Sequence, residues 1–286
     1  MNHTVGPGYD VRVMTRAELD LAVDWAAQEG WNPGIDDARA FHASDPMGFF
    51  VGVHDGEPVA SISLVAYDEA YAFLGFYIVK PAERGRGFGH ALWRAAITRR
   101  GRPLTGLDGV VAQQGNYAKS GFRLAYRNIR FGGPAPTGAA EAVRPVMRVA
   151  ELPFDRVLAY DRLFFPAPRP AFLSLWFTPR PGLALAMRDG DRIVGLGAIR
   201  ACRQGFKIGP LYADDETAAQ SLFLRLAAYA SGGDVFLDVP EPNAAALRLA
   251  ERHGLKPVFE TARMYTGPAP DIPLARLFGV TSFELG

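Results

Sequence analysis

An internal repeat constrains the fold of this 286-residue chain more than any other feature of its sequence. Four short segments recur 133 or 134 residues further along the chain. They are Val13-Met14 with Val146-Met147, Asp55-Gly56 with Asp189-Gly190, Gly121-Phe122 with Gly254-Leu255, and Gly133–Pro136 with Gly267–Pro270. Matches at one spacing indicate two copies of one structural unit, and the length suits two typical domains. We predict domains over residues 1–136 and 143–286, joined by a flexible stretch over residues 132–141.

Each copy has the hydrophobic pattern of an α+β unit, in the order strand, helix, hairpin, strand, helix, strand, helix, strand. The Asp-Gly pairs lie between alternating apolar stretches, a pattern that is typical of a β-hairpin turn. Further predicted features are a capping box at Thr15 and Glu18, a central strand over Tyr71–Val79, a helix over His90–Arg99, a strand over Leu124–Phe131 and an edge strand over Phe278–Phe283.

Composition excludes several classes of protein. The chain has 31 basic and 30 acidic side chains, a net charge of +1, which argues against a nucleic-acid partner bound by a basic face. The single cysteine, Cys202, rules out an internal disulfide and a multi-cysteine zinc site, and we expect no metal. No apolar run is long enough to span a membrane, and the start of the chain has no secretion-signal pattern. We therefore expect a cytoplasmic protein with no membrane partner.

A glycine-rich turn, Arg84–Gly89, follows the predicted central strand and begins a helix. Such a turn exposes backbone N–H groups, and the helix dipole adds partial positive charge, so the site suits a pyrophosphate. The dinucleotide fingerprint G-x-G-x-x-G fails, because its sixth position is His90 or Leu92. The nucleotide-triphosphate loop fails as well, because no Lys-Ser/Thr pair follows Gly89. The pattern Arg-x-x-Gly-x-Gly fits, with Arg84, Gly87 and Gly89.

A second motif follows at Asn116–Phe122, with the sequence Asn-Tyr-Ala-Lys-Ser-Gly-Phe. Together the two motifs resemble the GNAT superfamily of CoA-dependent N-acyltransferases. In the second copy, Ala218–Phe223 replaces the glycine-rich turn and Ala250 replaces Tyr117. The chain is thus similar to a tandem GNAT protein with an intact first domain and a degenerate second one. This resemblance implies two GNAT-like domains, each with a mixed, mostly antiparallel central sheet flanked by helices.

The resemblance also implies a cofactor site and a mechanism. In the family, the amine attacks the thioester of acetyl-CoA directly in a ternary complex. The amides of Arg86–Gly89 would bind the pyrophosphate, the backbone of Ile78 and Val79 would pair with the pantetheine arm, and Tyr117 would protonate the departing thiolate or simply pack on the last strand. Asn116 would bind pantetheine or cap a helix. The implied acetyl-CoA-binding residues are Ile78, Val79, Arg84, Gly85, Arg86, Gly87, Phe88, Gly89, His90 and Asn116.

The sequence leaves the general base and the acceptor site open. The central strand has no glutamate, so the candidates for the base are Glu69, Glu83, Asp214, Asp215 or a water chain. Trp31 and Tyr77 are the candidates for binding the acceptor, and Trp31 can alternatively fill the core.

The expected activity is transfer of an acetyl group from acetyl-CoA to the amine of a small molecule. A non-catalytic acyl-CoA sensor and a protein-lysine acetyltransferase remain as alternatives. We expect a monomer or a homodimer.

Overall fold

The computed structural model describes residues 8–100, 103–136 and 145–286. Half of the predicted linker, residues 137–141, lies outside the described residues. The first half contains β1 (Tyr9–Val13), α1 (Arg16–Gln28), α2 (Asp37–Ser44), β2 (Phe49–His54), β3 (Glu57–Ala66), β4 (Tyr71–Val79), α3 (Phe88–Arg100), β5 (Leu104–Val110), α4 (Gln114–Lys119) and β6 (Arg123–Pro134).

The second half repeats this order and adds one short strand. It contains β7 (Val146–Arg148), α5 (Phe154–Asp161), α6 (Pro170–Trp176), β8 (Gly182–Asp189), β9 (Arg192–Ala201), β10 (Phe206–Ala213), α7 (Glu216–Ala227), β11 (Asp234–Pro240), α8 (Ala244–Arg252), β12 (Lys256–Tyr265) and β13 (Leu277–Gly279). The predicted repeat of an α+β unit is therefore confirmed, although each half has two helices, and not one, between its first strand and its hairpin.

Local sequence signals account for many of these elements. The Thr15 hydroxyl accepts a hydrogen bond from the Glu18 amide at 3.3 Å, and the Glu18 carboxylate accepts one from the Thr15 amide at 2.8 Å, which confirms the capping box. Asp55 and Gly56 have φ of +50° and +85°, as the predicted hairpin turn between β2 and β3 requires. The predicted central strand is β4, with the same limits.

The two halves exchange their last strands. In the described part of the chain, 13 strands form one sheet, in which the path β1-β2-β3-β4-β5-β12-β6-β11-β10-β9-β8-β7 leaves out only β13. Strand β12 of the second half lies between β5 and β6, and β6 of the first half pairs with β11. Because β6 and β12 occupy equivalent places in the repeat, the sheet has approximate two-fold symmetry about the line between them.

Two buried ion pairs of the same design hold the exchanged strands. Arg130 of β6 donates to both carboxylate oxygens of Asp238 in β11, at 2.6 and 2.8 Å. Arg263 of β12 donates to both oxygens of Asp108 in β5, at 2.8 and 2.7 Å. Each arginine lies on an exchanged strand and each aspartate on the strand of the other half that receives it. The bidentate geometry of each pair fixes both the register of the exchanged strand and the strand with which it pairs.

The structure corrects two predictions. Gly132 and Gly133 do not begin a flexible linker, because they lie in β6 and pair with Phe236 and Val235 of β11. The segment over Phe278–Phe283 does not form an edge strand. Its strand, β13, instead pairs with β10 in the interior of the sheet, whose outer strands are β1 and β7.

The helices on one side of the sheet pack into a core shared by both halves. Phe41 of α2 stacks on Trp176 of α6, with ring centroids 5.8 Å apart, and one cluster of buried side chains includes members of α1, α2, α5 and α6. Among the described helices, none is long and apolar enough to cross a membrane.

We predict that Asp238→Asn destabilises the protein by about 3–5 kcal/mol, because it leaves the charge of Arg130 buried without its counterion. Urea unfolding of the full chain measures this. The control is Glu216→Gln, which breaks the exposed Arg248–Glu216 pair and should cost less than about 1 kcal/mol. Equal losses for the two variants would contradict the role given to the buried pair.

Candidate active site

The site begins where β4 and β5 separate. Their parallel pairing runs from Tyr71 with Leu104 to Leu74 with Leu107 and ends there, although both strands continue. Beyond this point β4 has a bulge at Phe76 and Tyr77 opposite a single residue of β3. Phe76 has φ of +48°, a conformation that costs about 1–3 kcal/mol and is concentrated at functional sites. The hydroxyl of Ser61 donates to the Phe76 carbonyl at 2.8 Å and so supports the bulge.

The glycine-rich turn connects β4 to α3. Gly85 and Gly87 have φ of +80° and +87°, which favour glycine strongly. The Arg84 guanidinium folds back on its own turn, donating to the Val79 carbonyl at 2.9 Å and pairing with Glu29. The turn therefore offers its backbone, rather than the Arg84 side chain, to a ligand. It leads directly into the first turn of α3, a helix of 13 residues.

The remaining side chains of the turn divide between surface and core. Arg86 pairs with Glu83 at 2.5 Å. The Phe88 ring is buried and stacks on Tyr9 at 4.5 Å, so only the backbone of this residue is available to a ligand. His90 is exposed on α3.

A groove runs from α3 to α4. His90 and Trp93 of α3 line it together with Asn116 and Tyr117 of α4. The Asn116 side chain donates to Gln113 at 2.8 Å and is exposed. Residues of the second motif thus share a groove with His90, which directly follows the glycine-rich turn.

Tyr117 lies where this groove meets a cavity. It lines both, as does Tyr77 of the β4 bulge. Tyr117 is only 7% exposed, and its ring stacks on Trp93 with centroids 5.9 Å apart. Burial raises the pKa of the Tyr117 hydroxyl above its ordinary value. The hydroxyl is therefore protonated at neutral pH and is able to donate a hydrogen bond.

The cavity lies in the opening between β4 and β5. Both halves of the chain line it, with Trp31, Phe76 and Leu107 from the first half and with Phe259, Phe283 and Glu284 from the second. Trp31 is therefore a cavity residue as well as a partly buried one. The Trp31 carbonyl accepts hydrogen bonds from Arg130 at 2.5 Å and from Lys207 at 3.4 Å. These two buried cations therefore fix the position of the loop that contains Trp31.

The acidic candidates from the sequence lie elsewhere. Glu69 is exposed, and Glu83 pairs with Arg86. Asp214 accepts from Tyr160 at 3.0 Å and pairs with Arg276, while Asp215 caps α7. Two carboxylates line the cavity. Asp108 is paired with Arg263, whereas Glu284, which the sequence did not single out, has no hydrogen-bond partner among the described residues. Its signal was present, since Glu284 is the single charged residue in the apolar segment 277–286.

The corresponding opening in the second half is filled by protein. Strand β13 pairs with β10 through Leu211 and Tyr212, and the Val280 amide donates to the Asp238 carbonyl of β11 at 2.9 Å. The segment 277–286 thus occupies the space between β10 and β11 that the first half leaves open between β4 and β5. No glycine-rich turn precedes α7. Asp215 caps its first turn instead, and Ser221 and Phe223, which stand where the first half has Gly87 and Gly89, are buried.

Family models match both halves of the chain. The model described as "Acetyltransferase (GNAT) family" matches residues 16–122, and the model described as "Acetyltransferase (GNAT) domain" matches residues 157–279. A holothin acyltransferase from Pseudoalteromonas sp. (strain SANK 73390) is 32% identical over 270 residues, which are 94% of this chain and 92% of that protein.

Solved structures share the whole architecture. A putative acetyltransferase from Pyrococcus horikoshii superposes with a TM-score of 0.82 at 23% identity, over 100% of this chain and 99% of that one. A tandem GNAT protein from the clavulanic acid biosynthesis pathway superposes with a TM-score of 0.62 at 14% identity, over 92% of this chain and 100% of that one. At these identities the likeness concerns the fold.

We predict that Gly87→Val weakens acetyl-CoA binding at least tenfold, because a branched side chain is strained at φ of +87° and intrudes on the exposed amides. Isothermal titration calorimetry measures the affinity. The matched control in the second half is Ser221→Ala, which should bind acetyl-CoA like the native protein. Equal weakening by the two substitutions would contradict the assignment of binding to the first half.

Proposed function

Because the chain belongs to the GNAT family of acyltransferases, we propose that it transfers an acetyl group from acetyl-CoA to the amine of a small molecule, in the first half of the chain. The observation that carries this proposal is the position of Tyr117. One ring borders both the groove between α3 and α4 and the cavity between β4 and β5. A donor in the groove and an acceptor in the cavity would therefore meet beside its hydroxyl.

The residues present fit acetyl-CoA. The amides of Arg86–Gly89 would hold the pyrophosphate at the start of α3. Asn116 lines a groove together with His90, which directly follows that turn. Beyond Leu74, β4 is free of its partner β5, so the backbone of Ile78 and Val79 is suited to pair with an extended pantetheine arm. Acetyl-CoA would supply an activated thioester, and the chain's own groups would orient it and donate to its sulfur.

A small-molecule acceptor is favoured by what surrounds the cavity. The second half contributes Phe259, Phe283 and Glu284 to the cavity wall, so both halves of the chain bound the space for the acceptor. The similar protein from Pseudoalteromonas is named as an acyltransferase of holothin, which also supports a discrete compound as the acceptor. The aromatic lining, with Trp31 and Phe76 from the first half, suits a planar or apolar amine.

Thiol release from acetyl-CoA tests the proposal. We expect turnover with at least one amine of a panel of alkylamines, arylalkylamines and arylamines, and no turnover on a peptide that carries a single lysine. Acetyl-CoA binding without turnover on any amine would favour a sensor, and preference for the peptide would favour protein acetylation.

We predict that Tyr117→Phe lowers kcat by about 10²-fold or more, the range for loss of general acid–base help, while the affinity for acetyl-CoA changes less than about threefold. The hydroxyl is lost, but the ring that packs on Trp93 remains. Steady-state kinetics and calorimetry separate the two effects, with Tyr229→Phe, at an exposed position in the second half, as the control. An unchanged kcat would remove Tyr117 from the mechanism.

A further inference from the structure

Glu284 is a buried carboxylate at the wall of the cavity. The residue is 2% exposed and lines the cavity together with Tyr77 and Tyr117. Both of its carboxylate oxygens are buried, and among the described residues neither has a hydrogen-bond partner. A buried polar group of this kind is costly, so its presence calls for an explanation. A ligand in the cavity that donates hydrogen bonds would provide one.

The backbone around Glu284 is fixed by its surroundings. A side chain on Gly75, beside the β4 bulge, would lie 2.1 Å from the Glu284 carbonyl oxygen, so this glycine permits the close approach of the segment. Gly209, the equivalent of Gly75 in the second copy, is approached in the same way by the Val280 carbonyl, at 2.5 Å. Strand β10 has a corresponding bulge between Ile208 and Leu211. The segment 277–286 therefore runs from the bulge of the second half to that of the first.

Hydrogen bonds hold the segment beyond Glu284. The Tyr67 hydroxyl donates to the Leu285 carbonyl at 2.8 Å, and Arg169 donates to the Gly286 carbonyl at 3.1 Å. The Leu285 amide donates to the Ser282 hydroxyl at 3.1 Å. Glu284 is consequently presented to the cavity on a rigid backbone, as a group that must meet a substrate requires.

Buried charges set the proton affinity of Glu284. Burial raises the pKa of its carboxyl, and the nearby anion Asp37 acts in the same direction, whereas the cations Lys207, Arg130 and Arg200 oppose this rise. Of these groups, Asp37 and Arg200 pair with each other at 2.7 Å, and Arg130 pairs with Asp238. The net effect is a raised pKa, and a carboxyl with a raised pKa is a better proton acceptor for an amine than an exposed one.

We propose that Glu284 is the general base of the reaction, and that the second half of the chain thereby supplies a catalytic residue to the site of the first half. This inference rests on the proposed acetyl transfer. An ammonium group has three N–H protons, of which the amide product keeps one. Glu284 takes one proton, and the nitrogen lone pair forms the bond to the acyl carbon. As the carbon–sulfur bond breaks, the sulfur takes the other proton through the Tyr117 hydroxyl, and neutral Glu284 returns its proton to solvent.

The test compares Glu284→Gln with Glu69→Gln, which changes an exposed glutamate outside the cavity. Benzylamine is the first acceptor, and the remaining amines of the panel follow. At neutral pH we expect Glu284→Gln to lower kcat about 10²–10⁴-fold with little change in the KM for acetyl-CoA. The deficit should narrow as the pH approaches the pKa of the amine, because solution then supplies the free base. Glu69→Gln should stay within about twofold of the native protein.

Thermal unfolding gives a readout that does not depend on activity. The pKa of Glu284 is raised by folding, so the unfolded state binds fewer protons between the ordinary and the raised value. The native protein therefore loses stability as the pH rises through that range. Glutamine does not titrate, so Glu284→Gln should unfold at a higher temperature than the native protein at pH 7.5. This difference should disappear below about pH 4, where both forms are neutral.

The possible failures are distinguishable. An active native protein with an equally active Glu284→Gln variant would overturn the role of Glu284 and leave acetyl transfer intact. A variant that loses activity to the same extent at every pH and also unfolds at a lower temperature at pH 7.5 would identify Glu284 as structural, against the proposal. A native protein that acetylates none of the amines would overturn the proposed function itself, and the role of Glu284 with it.

Discussion

Two buried arginine–aspartate pairs determine how this chain is assembled. Arg130 with Asp238 and Arg263 with Asp108 each join an exchanged strand to the half that receives it. An unpaired charge at either place would be very costly in the interior, so the pairs select one arrangement of β6 and β12 from those that hydrophobic pattern alone permits. The continuous sheet, the shared helical core and a cavity lined by both halves all follow from this exchange.

The two halves of the sheet have equivalent openings with different contents. Between β4 and β5 the opening is a cavity beside a glycine-rich turn, and between β10 and β11 it holds β13. The second half is therefore more than a degenerate copy, because the segment that fills its own opening continues into the opening of the first half. There it brings Phe283 and Glu284 to the wall of the cavity.

The local sequence was sufficient to predict the helices and strands, but it was insufficient to predict which strands pair with each other. The capping box at Thr15, the limits of β4 and the turn between β4 and α3 depend on neighbouring residues, and each was predictable. The exchange was not, because Arg130 and Asp238 are 108 residues apart and no local pattern joins them. For the same reason Gly132 resembled the start of a linker, although pairing with β11 and β12 on either side keeps it in a strand. Glu284 was not predicted as a site residue because its position at the wall of a cavity depends on contacts that form only in the folded chain.

The strand exchange also affects how the protein is made. During synthesis the first half leaves the ribosome well before β12, whose Tyr265 pairs with Gly106 of β5. Until then β5 and β6 present backbone edges that can pair with other chains, and contacts so distant in sequence form slowly. Newly made chains are therefore most exposed to misassembly in the interval between completing the first six strands and completing the twelfth.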